Sequence, residues 1–492
     1  MENRKSSFRW EPFLILAATA LFISFGLDTT QETLKSWQLL MTLAAVLLLT
    51  AALCRHLPVN MVSVMIALGI FLKLAYVLYT ATWTRQHDVI DFGTGEGHAG
   101  YIEYLLQNKA LPDFDPRTVW AFFQPPLHHI IAAVWVKLCT VAGVTYRQAQ
   151  ENIQALTFCY TGSVMLFSYF TCKEIGLKKW GMRVAMLLIS FHPIYVMLSG
   201  SINNDALSLA LSAAALYLAV LWYQRPGLPV ILLLGTCIGL SMLAKLSGGV
   251  IAPAVAVLFL LKLIQERQQW KKYLVQFAAF ALVVLPLGLW WTVRNMVLYH
   301  MPVNYIPPVG EQLEYTGIFH RLLDVRLHSV YPAMKVYGDA YDEYNVPLSL
   351  IKTSLFGEYN FGLEWKAITP FATVLFIAGV LLAIAAFAAM LHVLFSKKSI
   401  MKKEWKLLFG ILYASLLGSY CSFAFGYSNF SAQDFRYVAL IIVVEALFLG
   451  VFVDGLDFKE KRQRICGFLI IGAAAVFAAS SCFVYLMLGF AR

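Results

Sequence analysis

Residues 370 to 395 read PFATVLFIAGVLLAIAAFAAMLHVLF, without a single Asp, Glu, Lys or Arg. A helix needs about 20 mostly apolar residues to cross the hydrocarbon core of a bilayer. This run is therefore long enough to span a membrane. Because lipid-facing backbone must satisfy its hydrogen bonds within its own segment, the run predicts an α-helix in an integral membrane protein.

The composition of the whole chain also indicates an integral membrane protein. Of its 492 residues, 60% are hydrophobic and only 13% are charged, which excludes a soluble globular protein because a water-facing surface needs more charge. The formal net charge is +10. Its basic residues fall in short clusters between apolar runs, which is typical of the loops of a membrane protein. The sequence has no basic stripe interleaved with aromatic residues of the kind that binds nucleic acid. We therefore expect membrane lipids, and no nucleic acid, as partners.

The apolar runs that are long enough to span a membrane predict an all-α, polytopic protein with about thirteen transmembrane helices. We expect spans at roughly 11 to 27, 37 to 54, 59 to 82, 150 to 172, 180 to 199, 205 to 223, 229 to 244, 249 to 264, 273 to 291, 370 to 395, 405 to 425, 437 to 453 and 465 to 489. The first could be a signal peptide, but no A-x-A cleavage site follows it, so we expect an uncleaved helix.

Two long polar segments interrupt the predicted spans and divide the chain into five regions. Residues 1 to 82 form N-terminal transmembrane helices, and 83 to 149 form a first outer loop. Residues 150 to 291 form a transmembrane core, 292 to 369 a second outer segment, and 370 to 492 the C-terminal transmembrane helices. No internal repeat or Gly/Ser linker marks a separate soluble domain.

Orientation follows from four basic clusters, since Lys and Arg concentrate in cytoplasmic loops. The clusters are Lys173/Lys178/Lys179/Arg183, Lys262/Arg267/Lys271/Lys272, Lys397/Lys398/Lys402/Lys403/Lys406 and Lys459/Lys461/Arg462/Arg464. All four are cytoplasmic if the N-terminus is cytoplasmic and residues 127 to 143 do not span. We therefore expect that segment to be a helix in the outer interface, and both polar segments to face the exoplasmic space of the plasma membrane.

The first outer loop concentrates carboxylates and imidazoles. Candidates for chemistry are Asp88, Glu96 and His98, although solvated loop charges remain the alternative for any one of them. The loop ends in FFQPPLHH, where two prolines lead into the interfacial helix. Gln124, His128 and His129 of this motif are candidate substrate-binding residues, with neutral interfacial histidines as the simpler interpretation.

Later outer helix ends carry the remaining candidates. Asn204 and Asp205 begin a span, where Asp205 could be a helix cap, a site residue or both. Lys245 interrupts an apolar stretch at the outer boundary, where ionisable residues are functional candidates. Arg294, Arg436 and Tyr437 lie at further outer helix ends; snorkelling to lipid headgroups is the alternative for the cations, and their convergence would make a phosphate site.

Together these motifs resemble those of GT-C glycosyltransferases, in particular the bacterial protein mannosyltransferases and lipid A aminoarabinose transferases. The resemblance runs from about Tyr79 to Leu449. Its markers are QHD at 86 to 88, GHAGYIEYL at 97 to 105, LPDFD at 111 to 115, FFQPPLHH, SINND, LAKLSG, WWTVRN and QDFRY.

The resemblance implies a transferase that moves a sugar, a hexose or pentose, from a polyprenyl-phosphate donor to an acceptor on the exoplasmic face. It implies Asp88 as the base that takes the acceptor proton and Asp205 as a second acid. Two departures stand out. Asp88 is followed by Val89 instead of a second acid, and Pro125 replaces the lysine of the aminoarabinose branch. Phosphate binding therefore falls to Lys245, Arg294 or Arg436.

Three rival functions remain at the level of sequence. A transporter or flippase of lipid-linked sugars would predict repeated halves and broken helices at the bilayer midplane, and we identify neither in the sequence. A polysaccharide polymerase or ligase would act on similar lipid-linked sugars, and the sequence does not distinguish such an enzyme from the transferase that the resemblance implies. A structural scaffold would not need acids and cations on one face. The sequence requires no cofactor, and a divalent cation stays an open possibility.

Overall fold

The computed structural model describes residues 9–27, 44, 60–82, 91–307, 317–323, 345–357, 366–427 and 430–489. These residues form helices and no strand, which confirms the all-α prediction. The α-helices are α1 Glu11–Gly26, α2 Met61–Tyr79, α3 Gly97–Asn108, α4 Leu127–Val141, α5 Tyr146–Glu151, α6 Ile153–Ile175, α7 Lys179–Phe191, α8 Pro193–Gly200, α9 Asp205–Gln224, α10 Leu228–Ala244, α11 Ala252–Gln265, α12 Trp270–Tyr299, α13 Ile318–Leu323, α14 Val346–Phe356, α15 Thr369–Phe395, α16 Lys403–Gly426, α17 Ile441–Asp454 and α18 Lys461–Met487.

Within the described ranges, nine helical segments are long and apolar enough to cross a membrane, and four shorter apolar helices accompany them. The longest uncharged run, quoted above, forms α15. The predicted span at 37 to 54 lies outside the described residues except for residue 44, so the predicted total of about thirteen stays a prediction. The multi-pass membrane character of the chain is confirmed.

The predicted span at 180 to 199 is confirmed in length and apolar character by the segment Lys179–Gly200, but this segment consists of two helices. It breaks between α7 and α8 at His192, whose backbone is extended (φ −65°, ψ 124°). Pro193 has no N–H to donate to the preceding turn, and the N–H of Ile194 bonds to His192 Nδ1 at 3.4 Å. The freed carbonyl of Ser190 accepts instead from the fully buried Lys73 Nζ at 2.9 Å.

Contacts between helix ends show that the basic clusters share one end of the bundle. Near the first cluster, Gly181 N–H donates to Asp454 Oδ1 at 2.8 Å, beside the fourth cluster. Gln224 donates to the Glu174 carbonyl at 3.1 Å, and the ring of Tyr223 meets that of Trp405 at 5.4 Å. For the second cluster, the Tyr223 hydroxyl donates to Gln265 Oε1 at 2.8 Å. These contacts join the ends of α6, α9, α11 and α17 to the starts of α7 and α16. The outer loops therefore lie at the opposite end.

Helix α4 is too short to cross the membrane, as predicted for an interfacial helix. Its 15 residues extend about 22 Å, against a hydrocarbon core of about 30 Å. Four apolar side chains form an exposed stripe along it: Ile130, Val134, Leu138 and Val141. The opposite face is buried against α3. One apolar face for lipid and one packed face are typical of a helix that lies in the interface.

Helix α1 of the N-terminal transmembrane region supports this interfacial helix. Asn152, at the start of α6, donates to the Ser24 carbonyl of α1 at 2.8 Å, and Trp135 of α4 donates to the Asn152 carbonyl at 3.0 Å. The rings of Phe25 and Trp135 also meet edge to face at 6.0 Å. The outer end of α1 thus anchors the first outer loop.

Candidate active site

A cavity of about 560 Å³ opens at the end of the bundle opposite the basic clusters. We call it the outer cavity. Its wall comes from the first outer loop, the start of α9, the ends of α10, α12 and α16, the turns that follow α10 and precede α17, and the segment from 301 to 307. Seven of the predicted site residues line it: His98, Gln124, Asn204, Asp205, Lys245, Arg436 and Tyr437.

The polar centre of the outer cavity is an ion-paired cluster from three chain segments. Lys245 Nζ bonds directly to Asp205 Oδ1. On the other side of the carboxylate, Arg436 Nε lies 3.8 Å from Asp205 Oδ2. The two paired side chains retain 14% (Lys245) and 7% (Asp205) exposure, so the cluster is nearly desolvated but still reaches the cavity. In such surroundings its charges act more strongly than on a surface.

Helix ends hold the first two members of this cluster in place. Asp205 is in the first turn of α9, near the positive pole of that helix, and Lys245 directly follows the last turn of α10, near a negative pole. Asp205 does not cap its helix with its side chain: Asn204 occupies the N-cap, and the Asp205 carboxylate faces Lys245. The structure therefore excludes side-chain capping as the role of Asp205 and shows its carboxylate in the wall of the outer cavity.

Arg436 and Tyr437 lie on a short 3-10 turn, Phe435–Val438, before α17. The turn begins at the fully buried Asp434, whose Oδ1 accepts the backbone N–H of Arg436 at 2.7 Å. Arg436 donates to the Tyr437 hydroxyl at 3.0 Å, and Lys245 Nζ lies 4.5 Å from the centre of the Tyr437 ring. The Arg436 guanidinium carbon lies 5.0 Å from the same ring centre, so Tyr437 attracts both cations by cation–π interaction.

Gln124 and Asn204 form an amide pair beside the cluster. Asn204 Nδ2 donates to the Ala244 carbonyl at 2.7 Å and lies 3.3 Å from Gln124 Oε1. This contact ties the end of the first outer loop to the α9 and α10 ends. Amide groups that line a cavity in this way can both donate to and accept from hydroxyl groups of a ligand.

The three predicted histidines are neighbours, and of the three only His98 lines the outer cavity. His98 Nδ1 lies 2.9 Å from His129 Nε2, and their rings stack at 5.2 Å. His128 Nε2 donates to the Ile202 carbonyl at 2.7 Å. His128 and His129 are fully buried behind the wall. Burial lowers the pKa of His128 to about 4, and burial together with the neighbouring His98 and His128 holds the pKa of His129 well below its usual value.

Other predicted residues lie away from the outer cavity. Glu96 is exposed at the start of α3. Arg294 donates to the Pro112 carbonyl and to Asn295 Oδ1, and its guanidinium lies 4.8 Å from the Trp291 ring. It thus fastens the first outer loop to α12. Asp88 lies outside the described residues, as do Tyr331, Tyr337, Tyr341, Tyr344 and Tyr359 of the second outer segment, which the sequence left without a role.

Sequence reasoning missed an aromatic side of the outer cavity. Trp120, Phe123, Trp291 and Tyr305 all line it. Trp120 and Phe123 meet at 6.4 Å, Phe123 and Tyr305 at 5.7 Å, and Trp291 Nε1 donates to the Phe123 carbonyl at 3.3 Å. The motifs FFQPPLHH and WWTVRN contained two of these residues, but the sequence alone could not distinguish them from an interfacial aromatic belt.

Within the described ranges, no group of three or more His, Cys, Asp or Glu side chains is arranged to hold a metal ion. The described lining of the outer cavity offers a carboxylate, two cations, amides and aromatic rings.

Comparison with known proteins identifies one sequence family. Residues 124–291, about a third of the chain, match the family described as dolichyl-phosphate-mannose-protein mannosyltransferase. The matched region contributes Gln124, Asn204, Asp205 and Lys245 to the outer cavity. The match confirms the predicted resemblance to these glycosyltransferases within the matched region.

Two solved structures are similar in fold. ArnT from Cupriavidus metallidurans, in the apo state, matches with a TM-score of 0.49 and 14% identity over 87% of this chain and 76% of that chain. The Archaeoglobus fulgidus oligosaccharyltransferase, in the apo form, matches with a TM-score of 0.49 and 14% identity over 87% of this chain and 55% of that chain. No curated protein matches the sequence.

Proposed function

We propose that this membrane glycosyltransferase moves a sugar from a polyprenyl-phosphate donor to an acceptor on the exoplasmic face of the plasma membrane. The observation that carries the proposal is the convergence of Asp205, Lys245 and Arg436 in one cavity at the membrane boundary. A lipid phosphate is the part of the donor that lies at this depth. Two cations beside the membrane are suited to bind it and to stabilise it as it leaves.

In this proposal Lys245, Arg436 and the Tyr437 hydroxyl bind the donor phosphate. Asp205 holds the two cations in position, because its two oxygens face one of them each. A carboxylate occupied in this way is poorly placed to remove a proton from an acceptor. We therefore assign proton removal to Asp88, on the loop that leads to His98, and a positioning role to Asp205.

The proposed reaction balances without a further reactant. The acceptor oxygen or nitrogen forms a bond to the anomeric carbon as the bond between that carbon and the phosphate oxygen breaks. The acceptor proton passes to Asp88, and the bonding electron pair leaves with the lipid phosphate toward Lys245 and Arg436. The amides of Gln124 and Asn204, and the aromatic side of the cavity, are available to orient sugar hydroxyls and sugar faces.

The exoplasmic orientation rests on charge. The four basic clusters share the end of the bundle opposite the outer cavity. Because cytoplasmic loops are enriched in Lys and Arg, we assign that end to the cytoplasm and the cavity to the outer leaflet. Accessibility of single cysteines introduced at Glu96 and at Lys459 to a membrane-impermeant thiol reagent tests this, since only the first is expected to react in intact cells.

The transfer reaction is tested with purified protein and a panel of labelled polyprenyl-phosphate sugars. We expect Asp88→Asn and Lys245→Gln to lose transfer while the protein stays folded. Lys262→Gln is the matched control, because Lys262 also pairs with a carboxylate, Glu266 at 2.6 Å, but at the opposite end of the bundle. Equal loss in the control, or full activity of both test variants, would contradict the proposed site.

A transporter of lipid-linked sugars is the second candidate, favoured by the break between α7 and α8. Broken helices in transporters leave backbone groups free for their substrates. Here Lys73 already occupies the carbonyl of Ser190, which supports a structural role for the break. Flux of a labelled lipid-linked sugar across vesicles, unchanged by Lys245→Gln and without transfer to any acceptor, would favour the transporter instead.

A further inference from the structure

A second cavity, of about 510 Å³, lies at the end of the bundle that carries the basic clusters. We call it the inner pocket. It is bounded by the end of α15, the turn that follows it, the end of α17 and the start of α18. It lies at the end opposite the outer cavity, so its occupant is not the substrate of the proposed transfer.

Two cations line the inner pocket from different elements. Lys398 belongs to the turn after α15, and Arg462 to the first turn of α18. Within the described parts of the chain, neither side chain has an ion-pair or hydrogen-bond partner. Their positive charges are thus available to a ligand in the same space.

The lining contains no Asp or Glu. Three carboxylates lie close to Arg462 in sequence, Asp454, Asp457 and Glu460, and each accepts backbone N–H groups. Asp457 Oδ1 accepts the N–H of Lys459 at 2.9 Å. Glu460 accepts the N–H groups of Arg462 and Gln463 at 3.1 and 2.8 Å, as the N-cap of α18. Asp454 accepts the N–H of Gly181 at 2.8 Å. The inner pocket consequently favours an anion over a cation.

Neutral donors add to the same preference. Ser396 Oγ accepts the N–H of Lys398 at 3.2 Å, and Ser399 Oγ accepts the N–H of Met401 at 3.2 Å. Each hydroxyl therefore keeps its own hydrogen to donate into the pocket.

The remaining wall is apolar. Val393, Ile400 and Phe452 line it, and His392 packs edge to face on Phe452 at 5.3 Å. The pocket lies where α15 and α18 leave the membrane, which is the depth of lipid headgroups. A free inorganic anion would gain nothing from this apolar side, whereas the acyl or glycerol part of a phospholipid would pack against it.

We propose that the inner pocket binds the phosphodiester headgroup of an anionic phospholipid, with Lys398 and Arg462 as its charged contacts and Ser396 and Ser399 as hydroxyl donors. Basic pockets between helices on the cytoplasmic side suit such lipids, since each Lys or Arg near an anionic surface contributes about 1 kcal/mol. The assignment does not depend on the reaction in the outer cavity.

Binding is tested on the full chain, purified in mild detergent, by native mass spectrometry with phosphatidylglycerol and phosphatidylcholine as probes. We expect phosphatidylglycerol to be retained preferentially, and the double variant Lys398→Gln/Arg462→Gln to bind it about 30-fold more weakly, because two cations at about 1 kcal/mol each are removed. The matched control, Arg267→Gln/Lys271→Gln, removes one Arg and one Lys from another cluster at the same end and should retain wild-type binding.

A competition arm distinguishes the sources of phosphate. Glycerol 3-phosphate and inorganic phosphate, at millimolar concentration, should not displace phosphatidylglycerol; displacement by either would assign the pocket to a soluble anion and overturn the lipid proposal. Equal loss in the control variant would show only a diffuse electrostatic attraction and would also overturn it. Thermal unfolding of every variant, compared with wild type, verifies that each is folded when its binding is measured.

Discussion

Replacing Lys245 by glutamine removes the one ammonium group that both pairs with Asp205 and faces the outer cavity. Glutamine keeps most of the side-chain length, so the Tyr437 ring retains a neighbour. The substitution therefore removes charge with little change in packing. If Lys245 stabilises the leaving phosphate, its loss should affect the transition state more than donor binding.

The expected magnitude follows from the surroundings of Lys245. A hydrogen bond to a charged group contributes about 1.5 to 3 kcal/mol, so kcat/KM should fall about 10- to 150-fold. Breaking a fully buried ion pair lowers the free energy of unfolding by about 3 to 5 kcal/mol, and we expect a smaller loss for Lys245→Gln. Arg436 remains 3.8 Å from Asp205 and still compensates its charge.

Single-turnover transfer from a labelled polyprenyl-phosphate sugar, measured in nanodiscs, separates the chemical step from donor binding. The double variant Lys245→Gln/Asp205→Asn completes a thermodynamic cycle. If Asp205 acts partly by positioning Lys245, the Asp205→Asn substitution should cause a smaller loss in the Lys245→Gln protein than in the wild type, where it also frees Lys245.

The reasoning would be refuted by a folded Lys245→Gln protein with wild-type kcat/KM. The positioning role of Asp205 would be refuted if the rate losses of Lys245→Gln and Asp205→Asn were additive in the double variant. Additive losses would mean that the carboxylate does not act through the lysine.

Three further predictions concern other parts of the molecule. Arg294→Gln should loosen the first outer loop at Pro112 and lower stability by about 1 to 3 kcal/mol, measured by thermal unfolding, with a smaller effect on the single-turnover rate than Lys245→Gln. Gly181→Leu should separate α7 from α17, because a Cβ at Gly181 would lie 2.2 Å from the Gly450 carbonyl oxygen; a wild-type melting temperature would contradict this close packing. The low pKa of His128, about 4 against an ordinary 6.5, means that unfolding takes up a proton between these values. Stability should therefore fall as the pH is lowered from 6.5 toward 4, and His128→Gln should show a weaker fall in melting temperature over that range.

Much of the candidate site was visible in the sequence, because ionisable residues at the ends of apolar runs stand out from their surroundings. Asp205, Lys245 and Arg436 were identified in this way, and the structure brings them together. The same reasoning did not separate Arg294, which faces the Pro112 carbonyl instead of the cavity. A cation at an outer helix end looks the same in sequence whichever way its helix is rotated.

The sequence by itself determined the solvent of this protein, the approximate position of most spans and the end of the bundle at which the basic clusters lie. These are local properties: the bilayer has a fixed thickness, and each span must be apolar along its own length. Only the tertiary structure decided the break at His192, its stabilisation by Lys73, and the aromatic side of the outer cavity formed by Trp120 and Tyr305. Each of these depends on side chains from distant segments that meet only when the helices pack, and packing is set by the rotation and crossing of whole helices, which no local pattern records.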